Sequence, residues 1–198
     1  MAVGMIETCN WPNGKMVLCG PKGAGKSHLA RIWADTQNAQ VIAAKSLALQ
    51  DVDLLAQQSV CVEDVPDIAG DRTAETALFH LHNLLAQSGH LLLLTGCGPS
   101  AGWGIELPDL ASRIAAAQQA SLDTPDDGLL VAVLLKLLDD RQLQVEPGVV
   151  DFILLRMQRS FAGVQHLVEA LDRVSLQRKR PIGLRLAGQV LKQLEGSD

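Results

Sequence analysis

Eight residues, Gly20-Pro21-Lys22-Gly23-Ala24-Gly25-Lys26-Ser27, fit the template G-x-x-x-x-G-K-[ST], and no other stretch restricts the fold of this chain as strongly. Such a loop works only where a strand delivers it and a helix leaves from it. Lys15-Met16-Val17-Leu18-Cys19 reads as that strand, and from Ser27 to Gln37 the residues Leu29, Ile32 and Trp33 fall at helical spacing. A polyphosphate needs many N–H donors converging on a small concave space, which glycines permit because no side chain crowds the anion. The helix that follows adds free N–H groups and the positive end of its dipole. Lys26 is placed to reach the terminal phosphates and the Ser27 hydroxyl to coordinate Mg²⁺.

Apolar runs place the remaining sheet. Gln40–Ala44, Ser59–Val62 and Leu91–Leu94 read as strands, with Ala115–Ser121 as a further one, and a helix with Asp71–Ser88 as its span separates the second and third of these. Leu91–Leu94 does not alternate with polar residues, as expected where helices cover both faces of a parallel sheet. At Thr124-Pro125-Asp126-Asp127 the character changes to that of a helix start, with Thr124 as N-cap and Pro125 in the first turn. Everything beyond reads helical. The expectation is an α/β nucleotide-binding domain over 1–123, a parallel sheet flanked by helices, followed by a small all-α lid over 124–198.

Composition narrows the function classes. No apolar run in the 198 residues approaches the ~18 that a membrane span requires, and the Met-Ala-Val-Gly-Met start has neither a basic region nor an apolar core. A cytoplasmic protein without a membrane partner is expected. Seventeen Lys and Arg against 22 Asp and Glu leave a net charge of −5, which opposes non-specific attachment to DNA. The densest basic run, Arg178-Lys179-Arg180, reads as a solvated loop. Cys9, Cys19, Cys61 and Cys97 form no C-x-x-C pair and read as free buried thiols.

Two strand ends carry chemistry that could complement the loop. Glu63-Asp64 closes an apolar strand about forty residues after the phosphate loop, where one carboxylate can join a Mg²⁺ shell and a neighbour can orient an attacking water. Thr95 closes another strand, either as a hydroxyl for a terminal phosphate or water or simply as a polar terminus. Arg113 precedes the last strand, where a permanently charged guanidinium can stabilise transition-state charge in a neighbouring molecule's site.

Phosphate loop, acidic strand end, polar strand end, Arg before the last strand and helical lid together resemble the AAA+ ATPases. Within that class Ile68-Ala69-Gly70-Asp71, Phe79-His80-Leu81-His82-Asn83, Leu94-Thr95 and Leu107-Pro108-Asp109-Leu110-Ala111-Ser112-Arg113 resemble the replication-initiator family DnaA, and more closely its shortened homologues of the Hda type. Leu171-Asp172-Arg173 fits the Hda pattern, and the similarity runs from about Gly14 to Leu194.

The resemblance implies ADP or ATP with Mg²⁺ as ligands, DnaA and the DNA-loaded sliding clamp as partners, and negative regulation of chromosomal replication initiation. Arg113 is the position matching a finger offered in trans to promote hydrolysis of DnaA-bound ATP. No sequence-specific DNA binding is implied, because no initiator-type helix-turn-helix is read after the lid; self-association is left open. The chain departs from the pattern in three places. Glu63 stands where the initiators carry Asp, Ala162 stands where lids of this class carry a phosphate-directed Arg, and Met1–Asn13 holds no clamp-binding peptide. Arg159, about one turn before Ala162, is the substitute cation, and intrinsic hydrolysis is expected to be weak. The alternatives are a helicase-loader-like AAA+ adaptor and a stand-alone P-loop small-molecule kinase.

Overall fold

The computed structural model describes residues 2–178 and 181–195, and the chain divides into two units, Met1–Asp123 and Thr124–Asp198. Of the basic run Arg178-Lys179-Arg180, the last two residues lie outside the described ones.

The first unit is organised by β1 (Lys15–Cys19), which is buried along its whole length. A short helix α1 (Ala2–Thr8) precedes it. After β1 the chain runs through α2 (Lys26–Gln37), β2 (Gln40–Ala43), α3 (Val52–Leu55), β3 (Val60–Glu63), α4 (Arg72–Ser88), β4 (Leu92–Gly96), α5 (Pro108–Ala116) and β5 (Gln118–Ser121). All pairings are parallel, in the order β2-β3-β4-β1-β5. Parallel neighbours share an edge for their C-terminal ends, so the segments following β1, β3 and β4 emerge side by side.

The lack of alternation in β1 and β4 has the cause expected from helices on both faces. Met16, Leu18 and Leu93 pack with Ile6, Trp11, Ala30, Trp33 and Ala34 on one face. Val17, Val62, Leu92 and Leu94 pack with Leu78, Leu81, Leu85, Leu110 and Ile114 on the other. Trp11 and Trp33 stack with ring centroids 5.5 Å apart, which ties the segment before β1 to α2. The helix expected from Asp71 begins with Asp71 as its cap, accepting from Thr73 N and Ala74 N, and stops at Gly89 with φ +73°.

Two expectations are corrected. Ala115 and Ala116 belong to α5, so the last strand is only Gln118–Ser121, because Pro108 at the first helical turn starts a helix through Arg113 that the apolar residues Leu110 and Ile114 fix to the core. In the second unit the first helix, α6 (Asp127–Asp140), is capped by Asp126, whose carboxylate accepts from Leu129 N at 2.7 Å. Thr124 is therefore not the N-cap and Pro125 not in the first turn: the helix starts at Asp127, and the Asp126 carboxylate is the side chain that reaches its free N–H groups.

The second unit continues with α7 (Val149–Leu154), α8 (Phe161–Arg178) and α9 (Leu184–Glu195). Leu130, Leu134 and Leu138, four residues apart, form a stripe of α6 that meets Val149, Ile153, Val164, Leu167, Val168, Leu171, Val190 and Leu191. This is a helical core separate from that of the sheet.

Candidate functional site

The phosphate loop leaves β1 at Gly20, and the local packing explains why that position is glycine. Its φ is +155°, and a Cβ there would lie 2.6 Å from the Leu122 carbonyl oxygen, in the segment after β5. Gly25 caps α2 in the left-handed region at φ +92° with no side-chain acceptor. The first helical bond runs from Leu29 N to Gly25 O, so the N–H groups of Lys26, Ser27 and His28 precede the helical ladder and face the loop. Pro21 and Lys22 form the exposed crest, Gly23 and Gly25 are half-buried, and Ala24 is buried with its N–H on Pro21 O at 3.3 Å.

Lys26 is 7% exposed, and its ammonium donates to the carbonyls of Gly20 and Pro21, both at 2.8 Å. Those acceptors hold the cation inside the loop's concavity. It also lies 3.7 Å from the Cys97 Sγ. Cys97 is exposed, contrary to the expectation of a buried thiol, because it sits beyond the end of β4 on the same edge as the loop. Cys19 and Cys61 are buried, and burial raises both thiols above their ordinary range.

On the same edge β3 delivers Glu63 and Asp64. Asp64 adopts φ +56° and is exposed, and its N–H donates to the Thr95 hydroxyl at 3.2 Å. Thr95, 1% exposed, thus fixes the acidic turn to the end of β4. The Oε1 of Glu63 is enclosed without a hydrogen-bond partner, and the Ser27 hydroxyl is on an exposed residue at the start of α2. An acceptor-only oxygen left unsatisfied at the end of the strand beside this loop fits a divalent cation, which satisfies lone pairs that nothing else reaches. Among the described residues no group of three or more His, Cys, Asp and Glu side chains forms an all-protein metal site.

Sequence reasoning missed the side chain that organises the long segment after β4. Glu75, 1% exposed, accepts from Gly70 N at 2.9 Å and Glu106 N at 3.1 Å through Oε1, and from Leu107 N at 2.7 Å through Oε2. Three backbone donors are thereby satisfied by one carboxylate immediately before α5. Trp103, 3% exposed, donates to the carbonyls of Cys97 and Gly98, both at 3.1 Å. The only hint in the sequence is a Glu in the first turn of α4, a position that ordinarily reports no more than a favourable interaction with the helix dipole.

Arg113 is not with the others. It lies exposed in the last turn of α5 and lines a cavity with Gly14, Lys15, His82 and His90, where β1 begins. From Lys15 to Cys19 the strand advances four residues, about 13 Å, and the phosphate loop starts beyond that. Arg113 and the loop therefore occupy opposite edges of one sheet. Arg159, in the second unit, is paired with Asp127 at the start of α6. Ala162 lies in the first turn of α8, which Ser160 caps by accepting from Gly163 N at 2.9 Å.

Residues 127–191 match the family described as "Hda, lid domain". A Haemophilus influenzae protein described as uncharacterized is 27% identical over 186 residues, 87% of this chain and 79% of that protein. Domain III of the Thermotoga maritima replication initiation protein DnaA superposes with a TM-score of 0.80 at 17% identity, covering 97% of this chain and 90% of that one. AMPPCP-bound DnaA from Aquifex aeolicus gives a TM-score of 0.70 at 17% identity over 90% of this chain and 62% of that one. A Thermotoga maritima RuvB variant gives 0.72 at 15% identity over 98% of this chain and 67% of that one. The α/β fold is that of the AAA+ proteins, carrying a helical lid of the Hda type.

Proposed function

We propose that this chain, a DnaA/Hda-related AAA+ protein, is a nucleotide-dependent regulator of replication initiation that promotes hydrolysis of ATP held by DnaA, using Arg113 in trans. The observation that carries the reading is the separation just described: Arg113 and the chain's own phosphate loop are divided by the length of β1, more than an arginine side chain spans. Arg113 therefore does not reach a phosphate held by the chain's own loop, which supports a role toward a nucleotide held by a partner. A guanidinium suits that task because its charge is permanent and its fork of donors matches phosphoryl oxygens.

At the chain's own site the loop N–H groups and Lys26 bind the phosphates of ADP or ATP, a ligand class consistent with the AMPPCP held by the structurally similar initiator. Ser27 and Glu63 would hold Mg²⁺, which neutralises phosphate charge when bound. Binding requires Lys26 to turn from the Gly20 and Pro21 carbonyls toward the anion. Thr95 orients Asp64 through its backbone, and Asp64 is the acid available to position a water. Slow hydrolysis by the chain itself belongs to this reading: within the second unit Arg159 is engaged by Asp127, and Ala162 carries no charge. The partners in this reading are DnaA and the DNA-loaded sliding clamp.

The test is ATP turnover by DnaA in the presence of sliding clamp and DNA, with wild-type chain and with Arg113→Ala. Wild-type chain accelerates turnover and the variant does not, although both bind ADP equally in calorimetry. Equal acceleration by the two proteins removes the trans role.

A further inference from the structure

At the edge of the sheet opposite the phosphate loop lies a cavity of about 490 Å³. Lys15, at the first position of β1, is 3% exposed and lines it, and its ammonium donates to the His90 carbonyl oxygen at 3.1 Å. His82 of α4 is 8% exposed and lines it too, with its Nδ1 enclosed and lacking a hydrogen-bond partner. Arg113 stands on the rim. No Asp or Glu lines the cavity, and among the described residues neither Lys15 nor Arg113 takes part in a salt bridge.

This arrangement is costly as it stands. A buried ammonium without a counter-ion is penalised by desolvation, and a second cation beside it adds repulsion. The cost is visible in the titrating groups: burial lowers Lys15 to about 8, and burial first, then the charge of Lys15, and more weakly that of Arg113, lowers His82, against a raising contribution from Asn83. A position that needed only an apolar filler at the start of a strand would be met by Leu or Met. Two cations lining one unfilled space beside a buried imidazole, with no carboxylate among the lining residues, are what an incoming anion would stabilise.

We propose that this cavity is a second anion site, separate from the phosphate loop, which takes a phosphate-class oxyanion between Lys15 and Arg113, beside the buried His82 ring. A tetrahedral phosphate offers acceptors in several directions at once and matches donors spread over β1 and α5 better than a planar carboxylate does. Inorganic phosphate and the diphosphate end of a nucleotide share this chemistry. The site depends only on where Arg113 lies, not on its action in trans. An occupied cavity draws the guanidinium toward its own subunit, so phosphate binding would weaken any contact that Arg113 makes with a partner.

The experiment uses the full chain saturated with Mg-ADP, so that the phosphate loop is filled, and titrates inorganic phosphate and then pyrophosphate. Binding is followed by calorimetry and by the imidazole NMR signals of His82 and His90. A single site is expected that shifts the His82 signals, is weakened about tenfold or more by Lys15→Met and by Arg113→Ala, and persists in Lys26→Ala. Lys15→Met leaves ADP affinity unchanged, which also shows that the variant is folded. Binding of pyrophosphate alone assigns the site to a nucleotide tail; binding of both assigns it to free phosphate as well. Absence of binding by either anion, binding that survives Lys15→Met, or binding abolished by Lys26→Ala overturns the proposal. Stimulation of DnaA, measured separately, distinguishes failure of this site from failure of the trans reading of Arg113.

Discussion

Replacing Glu75 tests whether the segment preceding α5 is held by one buried carboxylate. Its oxygens take three backbone N–H groups, from Gly70, Glu106 and Leu107, at 2.9, 3.1 and 2.7 Å. In Glu75→Ala all three lose a charged acceptor in a place where the side chain is nearly inaccessible, and hydrogen bonds to charged groups contribute about 1.5–3 kcal/mol each. Partial entry of water and non-additivity bring the expected loss to about 4 kcal/mol. Glu75→Gln is more selective. Its amide oxygen can keep the two donors on Oε1, but its NH₂ then faces Leu107 N, donor against donor, for a loss of about 2 kcal/mol. All three tryptophans, Trp11, Trp33 and Trp103, lie before residue 124, so their fluorescence in urea reports on the first unit alone. With a urea slope of about 2 kcal/mol per M the midpoints fall by about 2 M for Ala and 1 M for Gln. An alanine variant within about 1 kcal/mol of wild type would show that water or a rearranged loop replaces the carboxylate and would refute the reasoning.

Further outcomes follow from the two sheet edges. Lys26→Ala should lower nucleotide affinity about tenfold or more, the scale of one charge-assisted contact, as read by calorimetry; equal affinity would remove the assignment of the loop. Cys97, exposed and 3.7 Å from the Lys26 ammonium, should be alkylated ahead of Cys19 and Cys61, with Mg-ADP slowing the reaction and the modified chain binding ADP less tightly, all checked by mass spectrometry and titration. Lys15 gives a pH signature. Its folded value of about 8 lies below the ordinary 10.5, so between those limits the unfolded chain holds the extra proton and stability rises with pH. Lys15→Met should therefore stabilise the first unit at pH 7 by about 2 kcal/mol, the full shift being discounted for water that enters the cavity and screens the charge. The gain should shrink as pH rises through that window; a flat difference between the two proteins would contradict the buried charge.

The phosphate loop, the strands β1 and β4 and the helix α4 are legible because each rests on local chemistry: glycines at fixed offsets, unbroken apolar runs, a capping Asp71 and a terminating Gly89. Sequence places the cap of α6 two residues early because Thr124 followed by Pro125 is as good a start signal as Asp126, and only the folded chain shows which side chain reaches the free N–H groups. Glu75, Cys97 and the Lys15–His82 cavity are not legible. Each depends on which segments the parallel order brings together: Glu75 meets Leu107 thirty-two residues on, Cys97 meets Lys26 across 71 residues, and Lys15 meets His90 across 75. No periodicity or spacing encodes such pairings.

The parallel order also limits what kind of contact the chain can make through Arg113. Every strand runs the same way, so the loop, Glu63, Asp64 and Thr95 collect on the edge where strands end, whereas Lys15, His82 and Arg113 collect where they begin. One edge presents the phosphate loop with Lys22 and Lys26 beside Glu63 and Asp64, and the other presents Lys15 and Arg113, which among the described residues form no salt bridge. Two copies of the Lys15–Arg113 edge repel, which disfavours a two-fold contact through it. An AAA+ partner with the same strand order would instead offer its nucleotide edge to the cationic edge of this chain, a heterologous and one-directional pairing. In that pairing Arg113 faces a partner's phosphates while this chain's own loop remains on the far side. Reversing the charge with Arg113→Glu should therefore weaken association with ATP-bound DnaA more than Arg113→Ala does, and the difference should shrink as salt rises, since only the glutamate adds repulsion. Equal binding of the two variants at low salt would place the partner's phosphates away from this edge.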